Sequence, residues 1–149
     1  DEVEQALREY QTLYQRDEQS VRLRQLRQQA LEAMYLLESF NPYLVGSVLN
    51  GTATRHSDIN LQLFTDSAKE VELFLLTRKI SYKRGEKHIY FGGEGHSLPV
   101  FILLEDYAEV NVTVFATQDI RQLPRKHAEK DMRASVQQVK TLLDDGQCP

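Results

Sequence analysis

From Ile59 to Phe64 the chain reads Ile-Asn-Leu-Gln-Leu-Phe, apolar and polar side chains in alternation. A period of two is the mark of a strand with one buried face, so a strand is predicted over 59–64. A different period governs the start of the chain. Between Glu2 and about Ser39 there is no Gly or Pro, and Val3, Leu7, Tyr10 and Tyr14 recur at helical spacing, as do Leu23, Leu26, Ala30, Met34 and Leu37. Two helices are predicted, divided at the wholly polar Gln15 to Ser20. Their apolar stripe suits docking on the protein's own core, the simpler reading, or a coiled-coil seam to a second copy or partner. Pro42 in "FNPY" ends the second helix, because it disfavours helical geometry at Asn41 and brings no backbone donor.

Further along, "TDSAKEVELFLLTRKI" predicts a helix capped by Asp66 or Ser67. Glu70 stands three residues after Ser67 as in a capping box, and Ala68, Val71, Phe74 and Leu75 share a face. The runs "ISYKR" and "HIYFG" around Gly85-Glu86-Lys87 predict a short hairpin, and Gly92, Gly93 and Gly95 a loop. A second hairpin joins "LPVFILL" to "EVNVTVF" through "EDYA", and a closing helix is predicted from Met132 to Leu143, with Val136, Val139, Leu142 and Leu143 inward. This order of elements implies an α+β fold, a mixed β-sheet flanked by helices. It divides into an N-terminal helical segment, 1–40, packed on a domain of 41–149.

Composition narrows the function. The 149 residues are the length of one domain, and no apolar run reaches the roughly 20 residues that cross a bilayer. A net charge of −4 argues against nucleic acid as the partner. The single cysteine, Cys148, allows neither an intrachain disulfide nor a cysteine-rich zinc site, which fits a reducing, cytoplasmic setting. The chain begins at Asp1 rather than Met, so an upstream segment is expected.

The chemistry concentrates in "VGSVLNGTATRHSDINLQLF", Val45 to Phe64. Asp58 and Asn60 alternate with apolar residues, and polar groups on one strand face must be met by hydrogen bonds, solvent or a ligand. Gly46-Ser47 at a strand end lets backbone N–H groups and a hydroxyl approach a phosphate without an intervening Cβ.

Gly46-Ser47, Gly51 four residues after Ser47, and "SDI" from Ser57 to Ile59 leading into a strand resemble the signature of the nucleotidyltransferase superfamily. The resemblance spans Tyr43 to Phe115, leaving the N-terminal helices outside as an extension. It implies a nucleotidyltransferase fold that binds a nucleoside triphosphate with magnesium. By the same resemblance the nucleoside monophosphate is moved to a hydroxyl of a protein or small molecule. Gly46 and Ser47 then grip phosphates, with Asn50, Arg55 and Ser57 as further contacts, while Asp58 and Asn60 take the metal.

The sequence departs from that signature at two acids. The second is Asn60, which offers a neutral oxygen and no charge. On "EVNVTVF", Glu109, Asn111 and Thr113 share one face, so the place of the third acid falls to Asn111, with Glu109 as the fallback. A site reduced to Asp58 holds magnesium weakly, or only as the ion a nucleotide brings. The alternative is a catalytically silent member of the same fold, serving as a binding or regulatory module with the N-terminal helices as an oligomer surface. A third reading is a structural subunit that takes no nucleotide. Other candidates weigh less. Of the four histidines, His56, His88, His96 and His127, His56 precedes the Ser57-Asp58 pair, but a lone loop histidine is usually solvated, and His88 and His96 lack zinc-site spacing. "FGGEGHS" opens no helix after a strand and is no dinucleotide fingerprint, and Arg121, Arg125, Lys126, Lys130 and Arg133 supply positive charge that suits phosphates or an anionic partner, or more simply a solvated tail.

Overall fold

Strand order in the computed structural model, which describes residues 20–53, 57–104, 108–121, 123 and 133–145, places the motif strand next to the edge of a five-stranded sheet. The helix expected around Val3 to Tyr14 lies outside the described residues, as do Arg55, His56, Arg125, Lys126, His127, Lys130, Met132 and Cys148. The described chain opens with helix α1, residues 20–36. A 3-10 turn, Glu38–Phe40, and Asn41 with φ 55° follow, so the chain has left helical geometry before Pro42. Next come β1 (Pro42–Val45), a one-turn helix α2 (Ser47–Asn50), β2 (Ile59–Phe64), α3 (Ala68–Thr77), β3 (Tyr82–Phe91), β4 (Glu94–Leu103), β5 (Val110–Phe115) and α4 (Val136–Asp145). The sheet order is β1-β2-β5-β4-β3, with β2 parallel to β5 and the other neighbours antiparallel. This is a mixed sheet with flanking helices, an α+β fold.

Alternation along the strands sorts the sheet into two unlike faces. Leu44, Ile59, Leu61, Leu63, Phe101, Leu103, Val110, Val112 and Val114 point to one side, and there they meet Leu26, Ala30 and Met34 of α1, Val71 and Leu75 of α3, and Val139 and Leu143 of α4. One buried cluster therefore joins α1 to the sheet, which makes the stripe on this helix a core face. The other side carries Asn60 and Gln62, level with Asn111 and Thr113, and among the described residues a smaller cluster of Phe64, Phe91, Leu98, Phe115 and Leu123 packs at the Phe64 and Phe115 end of it. Phe64 and Phe115 stack there with ring centroids 5.2 Å apart. Residues 117–121 cross that end as a 3-10 turn, tied down where Asp66 Oδ1 accepts from the Thr117 N–H at 3.1 Å.

The middle of the chain differs from the sequence expectation. Gly85-Glu86-Lys87 is not a hairpin turn: β3 runs through it unbroken, paired residue for residue with Val100, Pro99 and Leu98 of β4. The turn is Gly92-Gly93, whose φ values of 61° and 80° are those of a tight hairpin connection. As the edge strand, β3 leaves Lys83, Arg84, Glu86 and Lys87 exposed, so polar residues there cost little. Gly95 belongs to β4 rather than to a loop, and the closing helix begins at Val136, later than Met132. Ahead of it Ala134 bridges to Leu44, exchanging backbone bonds of 2.8 and 2.9 Å that cover the outer edge of β1. At α3 the cap is Ser67, whose Oγ accepts from the Glu70 N–H.

One polar link between α3 and β3 carries a pH signature. Tyr82 Oη donates to Glu72 Oε2 at 2.8 Å, and Arg84 Nη1 lies 3.3 Å from Glu72 Oε1. The hydrogen bond to Glu72, then burial, then the negative charge of Glu72 raise the Tyr82 phenol above its ordinary 10.0, with Arg84 pulling the other way. A raised value means that the folded chain holds this proton more tightly than the unfolded chain. Its contribution is therefore complete below the ordinary tyrosine range and fades as pH climbs through the folded value. The urea midpoint of the wild type is expected to fall faster with pH on the alkaline side of 10 than that of Tyr82→Phe. Parallel curves for the two proteins would remove the link.

Candidate functional site

Register assembles the motif. Val45 pairs with Asn60 across β1 and β2, and Asn60 with Asn111 across β2 and β5. The same row continues through Ile102 of β4 to Lys83 of β3, and the row beside it runs Tyr43, Gln62, Thr113, Val100, Gly85. Paired residues on neighbouring strands share a face, so these rows form a strip, here called the trough, on the side opposite the main core, with Asn60, Gln62 and Asn111 half-buried and Thr113 and Val100 buried. Its centre is uncharged: Asn60, Asn111, Gln62 and Thr113. Asn111 Nδ2 donates to Asn60 Oδ1 at 3.4 Å, and Asn60 Nδ2 to the Asp58 carbonyl at 3.5 Å. Bonds of that length are weak, and a ligand's shorter bond would displace them. Gln62 Oε1 is buried in this floor with no hydrogen-bond partner among the described residues.

Gly46 closes one end of the trough. Its φ of 84° and ψ of −158° lie where almost only glycine goes, and a Cβ built there would stand 3.3 Å from Asn60 Nδ2. The turn thus lies directly against the first asparagine. Ser47 starts α2, in which the N–H groups of Leu49 and Asn50 bond to the Gly46 carbonyl at 3.1 and 3.0 Å. The Ser47 hydroxyl makes no hydrogen bond to a described residue, and the side chain is half-buried. Asn50 ends the helix with its oxygen engaged, Oδ1 accepting from the Thr52 N–H at 3.0 Å and from Thr52 Oγ1 at 2.6 Å.

The carboxylates stand outside this floor. Asp58 and Glu109 are both exposed and each sits one residue ahead of its strand, before the paired residues Ile59 and Val110. The Ile59 N–H donates to the Glu109 carbonyl at 3.0 Å, which brings the two acids to the same end of the trough. Ser57 is half-buried beside Asp58 and has an interaction of its own. Magnesium asks for six oxygen ligands, most often carboxylate, phosphate and water. Among the described residues no three His, Cys, Asp or Glu side chains converge on one point, and Asn60 supplies only an amide oxygen already turned toward Asn111. The described residues do not fit a resident divalent ion.

Two features escaped the sequence. Gln62 extends the polar floor to the row of Thr113, a signal present in the alternation over Ile59–Phe64. Arg27 of α1 reaches α2, its Nε donating to the Val48 carbonyl at 2.9 Å and its Nη2 to the Leu49 carbonyl at 2.7 Å. Nothing local announces a contact between residues 21 and 22 positions apart.

Among the described residues no helix is long and apolar enough to cross a membrane. No family model matches the chain, and no curated protein does. Among solved structures, the GLD-2/RNP-8 complex aligns over 70% of this chain and 43% of that one, at 22% identity and a TM-score of 0.37. A likeness at this level bears on neither family nor activity.

Proposed function

We propose that the chain is a nucleotidyltransferase-like protein that binds a nucleoside triphosphate along the trough, its phosphates at the Gly46-Ser47 turn and the remainder over Asn60 and Asn111. The observation that carries this reading is the register, which puts a glycine turn of unusual geometry beside Asn60 and Asn60 beside Asn111, side chains that are half-buried among the described residues. Uncharged amides replace charge at the centre, and their N–H donors and carbonyl oxygens suit the polar groups of a sugar and base. Magnesium enters only as the ion the triphosphate brings. Binding without transfer, as a regulatory module, is the form favoured by the paired amides. Transfer to a hydroxyl of a protein or small molecule is the second form, and it rests on Asp58 and Glu109 at the same end of the trough.

Calorimetry with each of the four ribonucleoside triphosphates, with and without magnesium, tests the binding. Heat of binding from the wild type is expected with at least one of them, and its absence with all four would overturn the proposal. Radiolabelled triphosphate separates the two forms: label transferred by the wild type and not by Asp58→Ala establishes catalysis, while binding with no label transferred establishes the silent module.

A further inference from the structure

Helix α1 lies outside the span that resembles a nucleotidyltransferase, yet it touches both chain segments that frame the trough. From one flank of its buried stripe Arg27 bonds to two successive carbonyls of α2, those of Val48 and Leu49, at 2.9 and 2.7 Å. From the other flank Gln29 Nε2 donates to the Ala108 carbonyl at 2.7 Å, one residue before Glu109. The two bonds straddle the buried Leu26 and Ala30, which rest on the sheet.

A four-residue helix has too few internal bonds to hold itself. Its last carbonyls lack intrahelical donors, and here a guanidinium fork supplies two N–H groups at once. These are charge-assisted bonds, shorter and stronger than neutral ones. Arg27 is half-buried, and desolvation lowers its ordinarily very high value, while its Nε and Nη2 are met by the Val48 and Leu49 carbonyls. Removing the fork would leave α2 attached through the backbone of β1 and the buried side chains of Val48 and Leu49.

We infer that Arg27 is a positioning residue for the Gly46-Ser47 turn: by holding the far end of α2 it fixes where the turn's N–H groups and the Ser47 hydroxyl point. The inference rests on the proposed nucleotide site for its functional consequence, but its structural part stands apart from any ligand. Two measurements on the full chain separate them. Amide hydrogen exchange reads the turn directly, since the Asn50 and Gly51 N–H groups bond to the Gly46 and Ser47 carbonyls, each at 3.0 Å. In Arg27→Met these two amides are expected to exchange at least about tenfold faster while Leu61 and Val112 in the sheet stay unchanged, the pattern of a local opening. Unchanged exchange at Asn50 and Gly51, or faster exchange everywhere, overturns the inference.

The second measurement is affinity for adenosine, AMP, ADP and ATP, or the same series on whichever base binds best. Loss from Arg27→Met should grow with phosphate count, reaching roughly tenfold for the triphosphate and nothing for the nucleoside, by the scale of one charge-assisted contact. Equal loss along the series marks a merely structural residue and overturns the functional part. Should the wild type bind no member of the series, the nucleotide reading fails and exchange alone decides the role of Arg27. Arg27→Lys guards against misfolding: it keeps the charge but not the fork, and both readouts are expected between wild type and Arg27→Met. A lysine variant that matches Arg27→Met in a folded protein would assign the effect to the fork and sustain the inference, and one that matches wild type would overturn it.

Discussion

Gly46→Ala is expected to lower stability by about 1–3 kcal/mol and to weaken triphosphate binding at least about tenfold. Two costs coincide at this position. The backbone, at φ 84° and ψ −158°, occupies a region that residues with a Cβ avoid, so alanine must either carry the strain or swing the turn. The new methyl would also stand 3.3 Å from Asn60 Nδ2. Asn60 can yield by rotating, but rotation breaks its 3.4 Å contact with Asn111 and rearranges the centre of the trough. Gly85 provides the comparison. It lies in the neighbouring row of the same face, and a Cβ there meets nothing within 4 Å, so Gly85→Ala is expected to be neutral or slightly stabilising. Urea denaturation and calorimetry on the two variants make the check. If Gly46→Ala proves no worse than Gly85→Ala in both, the turn does not have the geometry that the nucleotide reading requires.

How far the sequence carried this geometry depends on how local each determinant is. Strand β2 was legible to the residue, because alternation over Ile59–Phe64 encodes both the strand and its two faces. So was the shared face of Asn111 and Thr113. Legibility failed where two signals compete. Gly85-Glu86-Lys87 has turn composition, but a polar triplet also suits an exposed edge strand, and only the positive φ at Gly92 and Gly93 decides which glycines bend the chain. The cap of α3 is local and was read to within one residue, Asp66 or Ser67, of which Ser67 holds it. Helix α2 was missed for the opposite reason: its four residues have weak helical preference, and the bonds that hold its end come from Arg27 on another helix. Likewise the faces of β2 and β5 follow from periodicity while their register does not. That Asn60 meets Asn111, rather than a neighbour two residues along, depends on how the sheet packs as a whole.

That register makes a second strong prediction, one that tests the trough by restoring charge to it. In the variant carrying both Asn60→Asp and Asn111→Asp, two carboxylates replace amides that now approach to 3.4 Å. At an effective dielectric of about 20, two like charges about 4 Å apart cost on the order of 4 kcal/mol. One of the pair is therefore expected to hold its proton well above the ordinary aspartate value of about 3.9. The sign follows from linkage: a carboxyl raised in the folded state binds its proton more tightly there than in the unfolded chain, so stability is fullest below the ordinary value and is lost as pH rises through the raised one. Compared with the wild type, the double variant should lose a few kcal/mol between mildly acid and neutral pH. Magnesium should return most of it, because the pair together with Asp58 now offers the oxygen charge that the natural amides lack. Each single variant adds one carboxylate beside only an exposed acid, Asp58 or Glu109, and leaves an amide opposite it, so each should show a smaller response to pH and magnesium. Urea midpoints at the two pH values, with and without magnesium chloride, make the comparison, and radiolabelled triphosphate shows whether the restored acids also bring turnover. A double variant indifferent to both pH and magnesium would mean that residues 60 and 111 do not face one another, and the trough would lose its centre.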